Sequence, residues 1–231
     1  MNLDELKLKT LEIDKKRFGR IFSFVDFGNV NHWYEKDRRD WEANELKEDQ
    51  KLIVDIEKLA QFLNLFSGKK RFYYGWHERM KASWHIVIKA ERNGFVKSTK
   101  RIQYIKHYLD DKELNNIKIR SIKEDSSGKF IEIKKSDFDV EISIDSIRLL
   151  KKYDTFCLLS GDSDFAPLVK YLKKQNKKII VIASGKVYHT LKEKADLYIN
   201  AQKIKSFIAA IKKTSPRKAK SGYRIRLGRT R

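Results

Sequence analysis

Two aspartates, Asp162 and Asp164, lie on a predicted turn between a strand and a helix. The apolar run over residues 155–159 predicts a buried strand, and residues 165–172 carry apolar side chains at helical spacing. Ligands of open α/β sheets bind in the crevice outside the carboxyl ends of the strands, where such a turn lies. The first predicted strand of the chain ends in the same way, at Asp26. Acidic residues at strand ends, in a chain of net charge +21, indicate a divalent metal site that faces a polyanion.

A third acidic segment, residues 137–139, opens a predicted helix. An aspartate at a helix N-terminus is an ordinary cap, and a Ser-Gly-Asp turn can be plain turn chemistry, so neither is diagnostic alone. Carboxylates crowded at one sheet edge repel each other unless a cation neutralises them. Hard cations such as Mg²⁺ or Mn²⁺ prefer carboxylate and water oxygens and need neither His nor Cys. The three segments together therefore favour a metal site.

The basic composition of the chain favours a nucleic acid or another polyanion as its partner. Lys and Arg number 52, against 31 Asp and Glu. The excess is uneven, because residues 213–231 contain eight basic residues and no acidic one. A basic protein without specific binding is the competing interpretation, and the uneven distribution of charge argues against it.

Length and composition also bound the class of protein. A chain of 231 residues with 41% hydrophobic and 36% charged residues suits one α/β domain with additional segments. No apolar run approaches the ~20 residues of a membrane span, and the polar N-terminus lacks the pattern of a secretory signal. The single cysteine, Cys157, lies in an apolar strand and has no internal disulfide partner. We therefore expect a buried thiol and a cytoplasmic protein.

The spacing of apolar residues predicts strands that alternate with helices, as in a parallel sheet covered on both faces. Strands are predicted over residues 20–26, 71–76, 94–97, 155–159, 178–183 and 196–199. Helices are predicted over residues 53–63, 84–90, 139–150, 165–175, 187–195 and 202–212, and Val140, Ile144 and Ile147 share one face of the third. Residues 117–123 and 130–133 alternate apolar and polar side chains around a Gly-containing turn, which predicts a β-hairpin.

Three regions are expected along the chain. Residues 1–19 form an N-terminal arm or helix, residues 20–212 form one domain, and residues 213–231 form a basic tail that Pro216 opens. Within the domain, residues 34–50 are nearly all polar and are predicted to be a solvated excursion.

Five motifs follow one another in a recognisable order. They are VDFGNVN at 25–31, KSDFDVEISID at 135–145, LSGDSDF at 159–165, KKIIVI at 177–182 and ADLYI at 195–199. In this order and spacing they resemble the NYN domains of the PIN-like nuclease superfamily, over residues 20–212. The set is far more specific than any single motif.

The resemblance implies a three-layer α/β/α sandwich with a mainly parallel central sheet, into which the hairpin is inserted. It also implies a metal-dependent ribonuclease, endonucleolytic in our expectation, that acts on single-stranded or structured RNA. Residue by residue, the acidic positions of the family fall on Asp26, Asp139, Asp162 and Asp164, which we expect to be catalytic and metal-binding. Asp26 and Asp162 are expected to be the principal ligands of Mg²⁺ or Mn²⁺. Asp137 and Glu141 are nearby substitutes for Asp139 if the register is shifted.

Three further residues are expected to support this site or to contact the substrate. Asn29 matches a family position, and both Asn29 and Ser160 could hydrogen-bond a ligand carboxylate or a phosphate oxygen. Turn formation alone is the competing interpretation of Ser160. Asp145 also matches a family position, but it lies nearly two helical turns beyond Asp139, so both cannot easily hold one ion. We expect Asp145 either to hydrogen-bond a ligand or to be an acid on the helix surface.

Cations that could contact RNA lie in three places. Arg38 and Arg39 are interleaved with Trp33, Tyr34 and Trp41, and aromatic rings among cations suit single-strand binding. A local mini-core is an equally open interpretation of those rings. The remaining candidates are one residue after the strand at 178–183 and five in the tail, namely Lys186, Arg217, Lys218, Lys220, Arg224 and Arg226.

Two classes of function stay open. The leading hypothesis is hydrolysis of RNA phosphodiester bonds at an Asp-rich Mg²⁺ or Mn²⁺ site, and the other is a non-catalytic RNA-binding module on the same fold. A pure binder gains nothing from carboxylates that face phosphates, so the complete set of acids favours the enzyme. RNA is the expected partner, a membrane is not, and a homodimer is left open.

Overall fold

Eleven strands form three separate sheets. The strands are β1 (Ile21–Asp26), β2 (Gln50–Val54), β3 (Ser67–Trp76), β4 (Val96–Arg101), β5 (Gln103–Tyr108), β6 (Lys123–Asp125), β7 (Gly128–Lys135), β8 (Thr155–Leu159), β9 (Lys178–Ala183), β10 (Leu197–Asn200) and β11 (Ala209–Lys213). The computed structural model describes residues 2–78, 81–110, 114, 122–185 and 189–214. Its central sheet has six strands in the order β10–β9–β8–β1–β3–β4, and every neighbouring pair is parallel.

The central sheet separates two hydrophobic cores, because successive strand residues point to opposite faces. Phe24 on β1 lies in register with Leu158 on β8, and both belong to one core. Val25 and Leu159, the next residues along, belong to the other core. All five residues of β8 are buried, as expected for a strand that is covered on both faces. The thiol of Cys157 in this strand is buried as well, and burial raises its pKa to about 12.

Helices cover both faces of the central sheet, so the predicted three-layer α/β fold is confirmed. The helices are α1 (Leu3–Thr10), α2 (Lys15–Phe18), α3 (Phe27–Val30), α4 (Ile56–Asn64), α5 (Lys81–Arg92), α6 (Asp139–Arg148), α7 (Ala166–Lys174), α8 (His189–Lys194) and α9 (Lys205–Ile208). Side chains of α6, α7 and α8 join the core around Phe24, and those of α4, α5 and α9 join the core around Val25. In the part of the chain that the structure describes, no helix is long and apolar enough to cross a membrane.

Two small antiparallel sheets flank the central one. Strand β11 pairs with β2, and β7 lies between β5 and β6. The β6–β7 pair is the predicted hairpin, although β6 is limited to three residues and residues 117–121 lie outside the described part of the chain. Strand β5, on the other side of β7, was not predicted.

Two predicted helices are wrong at one end. Residues 50–54 form β2, and α4 begins only at Ile56, where the Asp55 carboxylate accepts hydrogen bonds from the backbone N–H groups of Glu57 and Lys58. The predicted helix over 202–212 ends at Ile208 because residues 209–213 pair with β2 instead. Each segment is too short for its apolar spacing to separate a helix from a strand, and the pairing between them decides.

The predicted solvated excursion over residues 34–50 is wrong for its aromatic residues. Tyr34 is 1% exposed and donates a hydrogen bond from its hydroxyl to the carbonyl of Ala201 (2.7 Å). Trp33 is buried too, and Trp41 packs partly buried against the same core. These rings form the mini-core that was the competing interpretation, so they are not available to stack on bases.

Candidate active site

The acidic segments meet at one edge of the central sheet, which we call the carboxyl edge because the parallel strands end there. Asp26 is the last residue of β1, and Ser160 directly follows β8, the neighbouring strand. The Ser160 hydroxyl donates a hydrogen bond to Oδ2 of Asp26 (3.0 Å) and accepts one from the backbone N–H of Asp162 (3.2 Å). One hydroxyl therefore joins the strand-end segments that carry the two predicted principal ligands.

The Asn29 side chain makes a second link between the same two loops. Its amide oxygen accepts a hydrogen bond from the indole N–H of Trp33 (3.0 Å) and one from the backbone N–H of Gly161 (3.4 Å). The backbone N–H of Asn29 also donates to Oδ1 of Asp26 (3.4 Å). Asn29 and Ser160 thus lie where the sequence analysis expected supporting residues, and each contacts the loop of the other strand.

Burial dominates the electrostatics of the Asp26 carboxyl group. Desolvation raises its pKa, hydrogen bonds from Ser160 and Asn29 oppose the rise, and the charges of Asp162 and Asp137 add to it. A partly desolvated carboxylate beside other carboxylates is unfavourable without a nearby cation.

Asp162 and Asp164 lie on the turn after β8, as predicted. The Asp162 carboxylate caps the single 3₁₀ turn Ser163–Phe165 by accepting a hydrogen bond from the backbone N–H of Asp164 (3.1 Å). Asp162 is partly buried, whereas Asp164 is exposed. The turn therefore presents one carboxylate next to Asp26 and a second one closer to solvent.

Asp139 completes the acidic group from a third segment of the chain. It is the first residue of α6, and no side chain caps this helix with a hydrogen bond, which removes the ordinary explanation for an acid at this position. Its pKa is raised to about 6, first by burial and then by the charges of Asp162, Asp26, Asp137 and Asp164. The four predicted catalytic aspartates, together with Asp137, are therefore electrostatic neighbours.

Asp145 does not join this group. Its Oδ2 accepts hydrogen bonds from the Arg71 guanidinium (2.6 Å) and from the Tyr73 hydroxyl (2.8 Å), both on β3. Arg71 and Asp145 are only 16% and 18% exposed, so this is a largely buried ion pair that fastens α6 to the sheet. The expectation that Asp145 hydrogen-bonds a metal ligand, or lies as an acid on the helix surface, is thus replaced by a structural ion pair. Glu141, a substitute for Asp139 in the sequence analysis, pairs instead with Lys100 on β4 (2.8 Å).

The predicted face of α6 also differs from expectation. Val140, Ile144 and Ile147 share one face, as their spacing predicts, but they are 66%, 47% and 44% exposed. The helix buries Ile142 and Ser146 instead. The two ion pairs from Glu141 and Asp145 to the sheet fix which face of α6 turns inward.

A glycine on β3 sets the position of the segment that leads to Asp139. A Cβ atom added to Gly75 would lie 2.6 Å from Cβ of Ser136 and 2.9 Å from Cγ1 of Ile102. Real Cβ atoms do not approach so closely, so the chain between β7 and α6 can pass Gly75 only because this residue has no side chain.

We expect Gly75→Ala to lower the free energy of unfolding by roughly 1–3 kcal/mol, the usual cost of overpacking, and to displace the Asp139 segment. Gly68→Ala on the same strand is the matched control, since an added Cβ there would meet its nearest atoms at 3.8 Å and 3.9 Å. Thermal unfolding of both variants measures the effect. Equal stability of the two variants would contradict the close approach at Gly75.

The donor atoms at this edge suit a hard divalent cation. All four predicted ligands are carboxylates, and their mutual repulsion favours bound positive charge. Among the described residues, however, no group of three His, Cys, Asp or Glu side chains is arranged so that it could hold an ion as it stands. Asp26 and Asp162 instead accept hydrogen bonds within their own loops. Coordination would therefore require these side chains to rotate away from their present partners.

The predicted RNA-contacting cations are less well defined than the acids. Arg38 and Arg39 are exposed, and the Arg39 guanidinium lies 3.6 Å from the Glu45 carboxylate. Lys186 and the tail residues Arg217, Lys218, Lys220, Arg224 and Arg226 lie outside the described part of the chain. A cavity of about 340 Å³ that the sequence did not predict opens beside Asn29 and is also lined by His32, Ser184 and Gly185.

Comparisons with known proteins agree with this arrangement. The family model described as the NYN domain matches residues 20–202. A curated relative, the low amplitude and bright protein LabA of Synechococcus elongatus, is 25% identical over 205 residues, which cover 87% of this chain and 93% of the relative. A crystal structure of a protein of unknown function from Vibrio parahaemolyticus has a TM-score of 0.51 at 21% identity. It covers 80% of this chain and 94% of that one, and it supports the fold alone.

Proposed function

The chain belongs to the NYN domain family, a nuclease and RNA-binding family, and from that premise we propose that it is a metal-dependent endoribonuclease. The observation that carries the proposal is the convergence of Asp26, Asp139, Asp162 and Asp164, from three separated segments, at the carboxyl edge of the sheet. A chain of net charge +21 that concentrates carboxylates at this one edge suits a cation between protein and phosphate.

In the proposed mechanism, Asp26 and Asp162 hold Mg²⁺ or Mn²⁺, and Asp139 or Asp164 contributes a further oxygen or orients the attacking water. When bound, the ion supplies positive charge at the scissile phosphate and activates that water. Ser160 and Asn29 keep the β1 and β8 loops together, so that the two principal carboxylates stay at the same place on the edge. Each of these roles uses an atom that already lies at this site.

A cleavage assay tests the proposed activity. Purified protein is incubated with circular single-stranded RNA and with circular single-stranded DNA, in Mg²⁺ or Mn²⁺ and in excess EDTA. We expect the circular RNA to be opened only when the metal is present. A circular strand has no ends, so its opening is endonucleolytic. Cleavage that persists in EDTA would contradict a metal-dependent enzyme.

A second candidate is an RNA-binding module that does not turn over its ligand. The observation that favours it is that the carboxylates do not yet form a set of three ligands in the described part of the chain. The two candidates differ in the same assay, because a binding module would retain intact RNA with equal affinity in metal and in EDTA.

The basic tail is proposed to add phosphate contacts without sequence preference. Residues 213–231 carry eight cations and no acid, and each phosphate contact that is lost reduces the slope of log affinity against log salt by roughly 0.7–0.9. We therefore expect deletion of residues 214–231 to weaken RNA binding and to flatten its salt dependence. Titrations of labelled RNA at several salt concentrations measure both. An unchanged slope would rule out phosphate contacts by the tail.

A further inference from the structure

A group of aromatic side chains lies at the ends of β3 and β4, beside the acidic site. We call it the aromatic shelf and define it as Trp76, His77, Trp84 and Tyr104. Trp84 and Tyr104 are 44% and 38% exposed, which is unusual for rings of this size. Trp76 and Trp84 pack edge-to-face at 5.8 Å between ring centroids, and His77 and Tyr104 do so at 5.4 Å. Because Trp76 and His77 are consecutive, the two ring pairs form one continuous surface.

Cations border the aromatic shelf. The Lys97 ammonium group lies 6.0 Å from the centre of the Trp84 ring, and Arg101 lies in register with Trp76 on the adjacent strand. Lys97 pairs with Glu91 at 2.6 Å, and Arg101 pairs with Glu78 at 2.8 Å. All four of these charged side chains are between 37% and 66% exposed. Exposed ion pairs of this kind are weak, so a phosphate can replace the carboxylate at either cation.

A cavity of about 350 Å³ opens at the far end of the shelf, between the central sheet and the three-stranded sheet. His77, Arg101 and Tyr104 line it together with Lys123, which pairs with Glu132 at 2.8 Å. The cavity offers ring surfaces, cations and carboxylate acceptors side by side, the groups with which proteins contact unpaired bases and their phosphates.

The shelf and the acidic site lie on the same edge of the sheet. Asp26 on β1 is in register with Tyr73 on β3, and β3 continues for three more residues to Trp76. At a rise of about 3.3 Å per residue, Trp76 lies roughly 10 Å beyond Asp26 and one strand to the side. Gly75, next to Trp76, contacts Ser136 in the segment that leads to Asp139. A strand of RNA could therefore reach from one to the other.

We propose that the aromatic shelf stacks the unpaired bases of single-stranded RNA whose phosphates lie at the acidic site. The inference rests on the proposed function and adds that the substrate is single-stranded where the protein grips it. Base pairing and stacking in a duplex hide the base faces that such rings contact, so a duplex would not use the shelf. A second copy of the chain is a poorer occupant, since each copy carries a net charge of +21.

The test measures RNA affinity without metal, so that it does not depend on cleavage. Fluorescein-labelled oligouridine is titrated with wild type, Trp84→Ala, Tyr104→Ala and Trp84→Phe in EDTA. Tyr171→Ala is the matched control, because Tyr171 is a similarly exposed ring (39%) on α7, which packs against β9. Loss of one stacking ring is expected to weaken binding by roughly tenfold, whereas the salt slope stays unchanged because no phosphate contact is lost. Trp84→Phe is expected to retain most of the affinity.

Two further measurements keep the test decisive. An abasic strand of equal length, which retains the phosphates, should bind wild type and Trp84→Ala equally well. RNA, but not inorganic polyphosphate, should quench the tryptophan fluorescence of unmodified protein. Alanine variants that bind RNA as tightly as Tyr171→Ala would overturn the proposal. So would a wild-type dimer that Trp84→Ala dissociates while RNA affinity is unchanged, because the shelf would then be a surface for self-association.

This proposal and the proposed function can fail separately. Asp162→Asn tests cleavage and leaves the shelf intact, and Trp84→Ala tests affinity under conditions in which no cleavage occurs. Base-dependent affinity without cleavage would support the shelf and reject the enzyme. Cleavage without base-dependent affinity would do the reverse.

Discussion

Asp162→Asn is expected to lower the rate of metal-dependent RNA cleavage on the order of a thousandfold. Loss of one carboxylate ligand removes several kcal/mol of transition-state stabilisation, and each 1.36 kcal/mol corresponds to a factor of ten in rate. Asn has nearly the same shape as Asp, and its side-chain oxygen can still accept the hydrogen bond from the Asp164 backbone N–H. The turn should therefore keep its conformation. Single-turnover cleavage of labelled RNA gives the rate, and Asp26→Asn should behave in the same way.

Stability separates this effect from unfolding. Removal of one negative charge relieves repulsion among Asp26, Asp139 and Asp162, so thermal stability without metal should be unchanged or higher. Mn²⁺ should raise the unfolding temperature of the wild type by binding the folded state, and this rise should be lost in Asp162→Asn. Asp49→Asn, which alters an exposed acid in a loop before β2, is the control. Full cleavage activity in Asp162→Asn would refute the proposed site.

Asp145→Ala is expected to cost stability rather than chemistry. The substitution leaves the largely buried Arg71 guanidinium without its carboxylate and removes one partner of the Tyr73 hydroxyl. Breaking a buried ion pair from one side costs about 3–5 kcal/mol, and we place this pair near the lower bound because both side chains keep some exposure. In a domain of this size, each kcal/mol shifts the unfolding temperature by roughly 2–4 °C, so a drop near 10 °C is expected.

A double-mutant cycle identifies the cause of that loss. Arg71→Met combined with Asp145→Leu removes both charges and should destabilise the protein less than either single charge removal, because no unpaired charge stays buried. Chemical denaturation of the four proteins gives the coupling energy. Additive losses would show that the pair is not coupled. A Mn²⁺-dependent rise in unfolding temperature that is missing only in Asp145→Ala would return Asp145 to the metal site.

Local sequence patterns were sufficient for the parts of the fold whose pairing partners do not alter the reading. Strands β1, β8 and β9 are continuous apolar runs that end in acids or small polar residues, and their bounds were predicted to within one residue. The carboxylates at their ends could be placed on one edge because parallel strands share a direction. The same logic fails for β2 and β11, which form a strand pair only because they meet each other.

The identity of the inward face of α6 could not be read from spacing. Its apolar residues Val140, Ile144 and Ile147 share a face, yet Arg71 and Lys100 on the sheet draw Asp145 and Glu141 inward. An ion pair between residues 74 positions apart leaves no local pattern in a single sequence. For the same reason, the aromatic residues near Arg38 were open to two interpretations until their burial was known.

The hydrogen bond between Ser160 and Asp26 also bears on the birth of the protein, because it joins residues 134 positions apart in the chain. A ribosome that adds 5–20 residues per second needs roughly 7–27 s to synthesise that interval. Until Ser160 has emerged, β1 lacks β8 on one side, and Asp26 has no acidic neighbour from the later segments. Under the proposed function, the nascent chain is thus inert towards the messenger and the ribosomal RNA that surround it during its own synthesis. The order of its strands delays catalytic competence until translation is more than two-thirds complete.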